Sequence, residues 1–143
     1  MEPNDPLAVP RPVTLQEVAA RSLAGDPFDP LLREFLDEFY SGDPDRMVRA
    51  ISDVPITIDS LRDAYLAAVA EHLALRFRLP VPPWVDEPHR FLVEPFFAGG
   101  LETLKAVLLA ESPLAFRRRQ IFVSANALSR PRELLMHQRV TAP

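Results

Sequence analysis

Three consecutive arginines, Arg117, Arg118 and Arg119, are the side chains of this sequence whose chemistry most needs an explanation. They follow Phe116 and lie just before the apolar residues 121–123. A guanidinium is costly to bury without a partner, so cations this close to apolar side chains predict negative partners. Three interpretations stay open: ion pairs with acidic residues of the first half, a docking patch for an acidic protein surface, and phosphate contacts with RNA or DNA.

The residue types that usually carry catalysis are present, but without the spacing that catalysis needs. The histidines His72, His89 and His137 lie far apart, and His72 lacks the second histidine of a helical zinc motif. There is no glycine-rich phosphate loop and no Gly-x-Ser-x-Gly nucleophile elbow. We therefore predict a protein that is not an enzyme and uses no metal or cofactor. The alternative is His72 acting with a nearby carboxylate, which a deep apolar pocket around His72 would favour.

Composition predicts one small globular domain. The chain has 143 residues, 48% of them hydrophobic and 25% charged, and it has no cysteine. The absence of cysteine excludes disulfides and thiolate chemistry. No apolar run approaches the roughly 18 residues of a membrane-spanning helix, and the acidic, proline-rich start is unlike a signal peptide. These features predict a cytoplasmic protein with no membrane partner.

Charge is distributed unevenly along the chain. Residues 1–71 hold 14 acidic and 6 basic side chains, whereas residues 72–143 hold 6 acidic and 10 basic ones. The basic second half is compatible with a nucleic-acid patch. We favour the simpler interpretation, in which the two halves pack together and pair their charges.

Capping signals and apolar spacing predict an all-α fold, an irregular single domain of about six helices over residues 14–143, after a flexible proline-rich arm over residues 1–13. Thr14 and Glu17 form a capping box for the first helix. Asp29 and Asp43, each followed by proline, are predicted to cap the second and third helices. The longest helix is predicted to begin at residue 59 or 60 and to reach about residue 77, as the centre of the domain.

Residues 79–98 form a long proline- and aromatic-rich connection. Its prolines prevent a helix, and its aromatic side chains indicate an ordered apolar segment, since a flexible linker would lack them. We place Phe91 and Phe96 in the core, and leave Trp84 open between core and interface.

The remaining residues predict short elements. A helix is expected over residues 101–110 with Leu101, Leu104, Val107 and Leu108 facing inward, followed by one helical turn that carries Phe116. Residues 121–123 have no evident partner strand, which favours an extended core segment. A helical turn is expected over residues 124–128, and residues 131–143 either extend a helix or fray.

Several motifs of the second half are similar to those of a poorly characterised bacterial family. They are LPVPPWV at residues 79–85, EPHRFL at 87–92, PFF at 95–97 and ESPLAFRRRQIFVSANALSR at 111–130. The resemblance covers about residues 31–130. Members of this family look like the antitoxin-side partners of nucleotidyltransferase-like toxins, and some carry a helix-turn-helix DNA-binding domain ahead of this region. This chain has a single predicted helix before residue 25, so a complete helix-turn-helix does not fit.

The resemblance implies an antitoxin-like module that binds and neutralises a nucleotidyltransferase-type partner. Its predicted partner-binding residues are Arg117, Arg118, Arg119, Trp84 and Arg90. The three consecutive arginines would contact the acidic metal-binding carboxylates of the toxin, by charge complementarity. The alternative is a regulatory module that binds nucleic acid through the basic second half, with an affinity that falls steeply as salt rises.

Overall fold

The computed structural model describes residues 9–98 and 105–130 of the chain. The first helix, α1 (Leu15–Leu23), begins at the predicted capping box. Thr14 Oγ1 accepts a hydrogen bond from the Glu17 N–H at 3.0 Å, and Glu17 Oε1 accepts one from the Val13 N–H at 3.1 Å. The chain then turns at Gly25, whose φ of +119° is a conformation that glycine adopts without strain.

The described end of the predicted arm lies against the helices. Arg21 donates a hydrogen bond to the Pro10 carbonyl oxygen at 2.8 Å, and Arg11 pairs with Glu38 at 3.5 Å. Pro12 is buried. These contacts attach residues 10–12 to α1 and to the helix that carries Glu38, whereas residues 1–8 lie outside the described part of the chain.

The second helix, α2 (Phe28–Tyr40), begins earlier than predicted. Pro27 takes the capping position and makes no side-chain capping bond, so the prediction that Asp29 caps this helix was wrong. Asp29 and Pro30 lie in the first turn instead. A carboxylate is favourable there, beside the positive end of the helix, and a proline costs little because its missing N–H would have no helical partner.

The next two helices begin at the predicted residues. Asp43 caps α3 (Pro44–Ser52) by accepting the Arg46 N–H at 2.9 Å. Asp59 caps α4 (Ser60–Phe77) in the same way, by accepting the N–H of the residue three positions on. Both caps satisfy donors that the first helical turn would otherwise leave unpaired.

Helix α4 is the centre of the domain, as predicted. Nearly every residue from 63 to 74 is buried, because other elements surround the helix on several sides. On one side, α2 contributes aromatic contacts: Phe28 meets Tyr65 edge-on at 6.1 Å between ring centroids, and Phe39 meets Phe77 at 5.6 Å. On another, α4 packs against the connection and the second half.

The connection is ordered, as predicted, and it contains the partner strand that the sequence did not reveal. Two short 3₁₀ helices (Pro83–Asp86 and Pro88–Arg90) precede a two-residue strand, β1 (Phe96–Phe97). β1 pairs in parallel with β2 (Ile121–Phe122). The expected unpaired core segment over residues 121–123 was therefore wrong, because its partner lies in the proline-rich connection, where two residues are too few to show an alternating pattern.

Two short helices lie between these strands in the chain. The described residues include α5 (Lys105–Glu111) and α6 (Leu114–Arg117), whereas residues 101–104 and 131–143 lie outside them. Leu108 is buried as predicted, but Val107 is exposed, contrary to expectation. Residues 125–128 form a hydrogen-bonded turn in place of the expected helical turn.

Within the described residues, the six helices and one small sheet make a single, mostly α-helical domain. None of the helices described is both long and apolar enough to cross a membrane.

Candidate functional site

Arg119 is fully buried at the junction of α4, α6 and the connection. Its Nη2 atom lies 2.9 Å from Glu71 Oε1 and donates to the Val85 carbonyl oxygen at 2.8 Å. Its Nη1 atom donates to the Ala115 carbonyl oxygen, also at 2.8 Å. The guanidinium lies 4.7 Å from the centre of the Phe91 ring. One side chain thus joins three separate parts of the fold.

The charge of Arg119 is balanced inside the protein. Burial lowers the pKa of its guanidinium below the ordinary value of arginine, and the adjacent Glu71 carboxylate opposes that shift. Glu71 is itself buried on α4, within the acidic first half of the chain. The predicted pairing of the arginine cluster with the first half is therefore confirmed for Arg119.

Arg118 and Arg117 both lie at the surface, with different partners. Arg118 pairs with Asp86 at 2.7 Å, and its Nε atom lies 3.6 Å from Glu71 Oε1. Arg117 donates to the carbonyl oxygens of Ser112 at 2.9 Å and Ala110 at 3.2 Å, at the end of α5. Among the described residues, Arg117 has no carboxylate partner, so its positive charge is not neutralised by an ion pair.

Arg90 belongs to the second 3₁₀ helix of the connection, and its side chain is fully buried. Its Nη2 atom donates to the Pro55 carbonyl oxygen at 2.9 Å, and its Nη1 atom donates to the Asp63 carbonyl oxygen at 3.3 Å. Its Nε atom faces Glu87 Oε1 at 3.3 Å. These bonds fasten the second 3₁₀ helix to the segment that leads into α4.

Trp84 is also internal, with 6% of its surface exposed. Its indole N–H donates to the Ile51 carbonyl oxygen at 3.0 Å, at the end of α3. The guanidinium of Arg90 lies over its ring, 4.9 Å from the centre. Trp84 therefore lies in the core. Phe96, which we expected in the core, is instead 37% exposed.

These positions correct the predicted partner-binding set. Trp84, Arg90 and Arg119 offer almost no surface to another molecule, because carbonyl groups, a carboxylate and aromatic rings of the same chain enclose them. Arg117 and Arg118 are the two members of the set that lie at the surface. The sequence hinted at this division only through spacing, since neighbouring residues of one helical turn point in different directions.

The exposed apolar side chains next to Arg117 were missed by sequence reasoning. Val107 and Leu109 on α5 are 49% and 47% exposed, and Leu114 on α6 is 65% exposed. Arg117 follows Leu114 by three positions on α6, so the two share a face, and its guanidinium reaches the end of α5. We call Val107, Leu109, Leu114 and Arg117 the α5–α6 corner. The available signal was the run of five apolar residues at 106–110, which a short helix cannot bury on every side.

Groups suited to catalysis do not converge in the described part of the chain. His72 is half-buried on α4, with its ring 6.2 Å from that of Phe116, and burial, together with nearby Arg76, lowers its pKa. No group of three or more His, Asp or Glu side chains among the described residues is arranged to hold a metal ion. His72 lines neither the cleft between α1, α2 and α3 nor the cleft between the starts of α2 and α4 and the end of β1.

No protein-family model matches this chain, and no curated protein or solved structure shows significant similarity to it. The resemblance to the antitoxin-side family therefore stays a prediction, and the site has to be judged on its own geometry.

Proposed function

We propose that this protein is a non-enzymatic, antitoxin-like interaction module, which binds and neutralises a nucleotidyltransferase-type partner in the cytoplasm. The family resemblance supports the class of partner. The observation that carries the proposal is the α5–α6 corner, which combines exposed apolar side chains of α5 and α6 with an arginine that has no carboxylate partner among the described residues.

This combination suits recognition of an acidic protein surface. Protein interfaces are enriched in arginine, and their buried centres contain apolar side chains, which lose contact with water when the partner docks. Leu114 is the most exposed apolar side chain of the corner, and Arg117 lies on the same face of α6. Two carbonyl groups at the end of α5 hold the guanidinium in place, so less conformational freedom is lost when it binds a carboxylate.

The partner's active site supplies the complementary charge. A nucleotidyltransferase-type enzyme holds its metal ions with carboxylates, and a planar guanidinium can bind a carboxylate through two parallel hydrogen bonds. We infer that Arg117 contacts those carboxylates while the apolar side chains cover the surrounding surface. Binding there neutralises the enzyme by covering the mouth of its active site.

A nucleic-acid partner is less well supported. Phosphate binding usually needs several unpaired cations along one surface. Arg118 already pairs with Asp86, and Arg119 is enclosed with Glu71. Of the three consecutive arginines, only Arg117 is exposed without a carboxylate partner in the described structure.

Co-expression with the product of the neighbouring gene, followed by a pull-down, tests the proposal. We expect the two proteins to form a complex that can be purified, and the partner's toxicity to be relieved. Calorimetric titration then measures the affinity of each variant for the partner. We expect Arg117→Glu and Leu114→Glu each to bind at least about tenfold more weakly than wild type, which corresponds to about 1.4 kcal/mol.

Arg49→Glu is the matched control, because Arg49 is an exposed arginine of α3 without an ion pair among the described residues. It changes charge by the same amount, away from the α5–α6 corner, and should leave affinity within about twofold. The absence of a complex would refute the proposal. Equal losses from Arg117→Glu and Arg49→Glu would refute the α5–α6 corner as the binding surface.

A further inference from the structure

A second surface feature lies on another part of the fold and does not depend on the proposed function. It is an open cleft of about 550 Å³ between the first turn of α2, the first half of α4 and the end of β1. This volume lies within the range of about 300–1,000 Å³ that is usual for ligand sites. Its lining residues are Pro27, Phe28, Asp29, Pro30, Leu61, Arg62, Tyr65, Phe96 and Ala98. We call it the aromatic cleft.

The walls of the aromatic cleft are rings. Phe28 and Tyr65 meet edge-on at 6.1 Å, and Phe96 stands partly exposed beside them on β1. Pro27 and Pro30, on either side of Phe28 at the start of α2, also line the cleft. Proline-rich segments in the polyproline II conformation dock in grooves lined by aromatic side chains, as this cleft is.

One hydrogen-bonding group in the aromatic cleft is uncommitted. The Tyr65 hydroxyl has no hydrogen-bond partner among the described residues, although the ring is half-buried and also packs against Phe116 at 5.2 Å. Burial, with a smaller contribution from Asp29, raises the pKa of this phenol to about 12. The hydroxyl therefore keeps its proton at neutral pH and can donate to an acceptor on a ligand.

The charged groups at the cleft favour a cationic ligand. Asp29 is exposed at the rim and makes no ion pair with any described residue. Arg62 is the other charged side chain of the lining, and it is already committed, pairing with Asp59 at 3.2 Å and donating to Ser22 Oγ at 3.0 Å. The carboxylate of Asp29 is thus the group available to a ligand.

We propose that the aromatic cleft binds a proline-rich peptide segment of a partner protein, with an arginine or lysine next to the prolines. In a polyproline II helix, the carbonyl groups make no internal hydrogen bonds and remain free as acceptors. The Tyr65 hydroxyl donates to one of these carbonyls while prolyl rings pack against the aromatic lining of the cleft. The flanking cation of the peptide pairs with Asp29.

Charge and proline content distinguish the proposed ligand from other extended peptides. An acidic peptide would place its carboxylates beside Asp29, where like charges repel. A peptide without prolines would lose more conformational freedom on binding, because the polyproline II backbone is already extended in solution.

Fluorescence anisotropy with a labelled peptide of five prolines followed by Ala-Arg tests this proposal on the full chain. We expect a dissociation constant below about 1 mM, and weaker binding as salt rises. The same peptide ending in Ala-Glu, or with its prolines replaced by alanine, should bind at least about fivefold more weakly.

Two conservative variants locate the site. Tyr65→Phe removes only the hydroxyl and should weaken binding about twofold to tenfold, the usual effect of one hydrogen bond. Asp29→Asn should remove the preference for arginine over glutamate. Asp53→Asn is the control, since Asp53 lines the other cleft, between α1, α2 and α3, and should change nothing.

Three results of these binding measurements would overturn the proposal. No binding at millimolar peptide, or equal binding of the proline and alanine peptides, overturns the proposal. Binding of free arginine amide as tightly as the peptide also overturns it, because the cleft would then recognise a small cation alone. Unlike the α5–α6 corner, this site should be insensitive to Arg117→Glu, so each proposal can fail independently of the other.

Discussion

The buried arginines and the arginine of the α5–α6 corner are chemically identical but have opposite surroundings. Arg119 and Arg90 are enclosed by carbonyl oxygens, a carboxylate and an aromatic ring. Arg117 touches two carbonyl oxygens and is otherwise open to water. The difference shows that burial of the residue, and not the density of arginine in the sequence, determines which cations hold the fold together and which can meet a partner.

The geometry of the guanidinium explains why arginine serves the buried positions. It carries five N–H donors in a rigid plane and can bond several acceptors while its face packs on a ring. Arg119 uses this to connect α4, α6 and the connection, and Arg90 uses it to connect the second 3₁₀ helix to the start of α4. A lysine could not bond in so many directions within one plane.

The strongest test of this contrast is Arg119→Ala. It leaves the Glu71 carboxylate buried without its closest cation and leaves two carbonyl groups without their donor. We expect a loss of about 3–5 kcal/mol in the free energy of unfolding, the usual cost of breaking a buried ion pair from one side. Urea denaturation followed by circular dichroism measures it.

Arg118→Ala is the neighbouring control for that measurement. Arg118 is half-exposed, so water screens both its ion pair with Asp86 and its longer contact with Glu71, at 3.6 Å, and we expect its loss to cost at most about 1 kcal/mol. The double variant Glu71→Leu with Arg119→Met should recover part of the loss, because it removes both buried charges together. Similar losses from Arg118→Ala and Arg119→Ala would contradict the distinction between buried and exposed arginines.

A smaller effect is expected from pH, through His72. This side chain lies on α4 beside Phe116. Burial first, and Arg76 second, lower its pKa in the folded protein below the ordinary value of 6.5. As pH falls through about 6.5, the unfolded chain takes up a proton that the folded chain does not, so the free energy of unfolding decreases.

Urea denaturation at several pH values checks this linkage. Wild type should lose more stability between about pH 7.5 and pH 5.5 than the variant His72→Gln, which cannot titrate in this range. The carboxylates titrate in both proteins and cancel in the comparison. Parallel stability curves would show that His72 titrates alike in the folded and unfolded states.

Local signals in the sequence predicted the helices well, because a cap needs only a few neighbouring residues. Thr14, Asp43 and Asp59 each accept a backbone N–H three positions on, as their spacing indicates. The all-α fold follows from these caps and from apolar spacing.

Contacts between distant residues were harder to predict. The pairing of β1 with β2 joins two residues of the proline-rich connection to two residues 25 positions later. Arg119 was predicted to bind a partner because its neighbours in the sequence do not show that Glu71, Val85 and Phe91 surround it in the fold. The exposed face of α5 was missed because apolar content was taken to imply burial.

The smallest expected effect on stability is that of Arg117→Ala, and it gives the sharpest contrast with Arg119. Arg117 stabilises the end of α5 through two carbonyl groups, at a position where a cation also interacts favourably with the helix dipole. Because the side chain is exposed, we expect its loss to lower the free energy of unfolding by at most about 1 kcal/mol. The same substitution should reduce affinity for the proposed nucleotidyltransferase-type partner about tenfold or more, since it removes the charge that we propose faces that partner. Urea denaturation and calorimetric titration together separate the two roles. Arg119→Ala should lower the free energy of unfolding far more than Arg117→Ala, whereas Arg117→Ala should weaken binding while the fold stays intact.

If Arg117→Ala instead destabilises the protein by several kcal/mol, the α5–α6 corner belongs to the structural framework, and its exposure does not indicate a binding role.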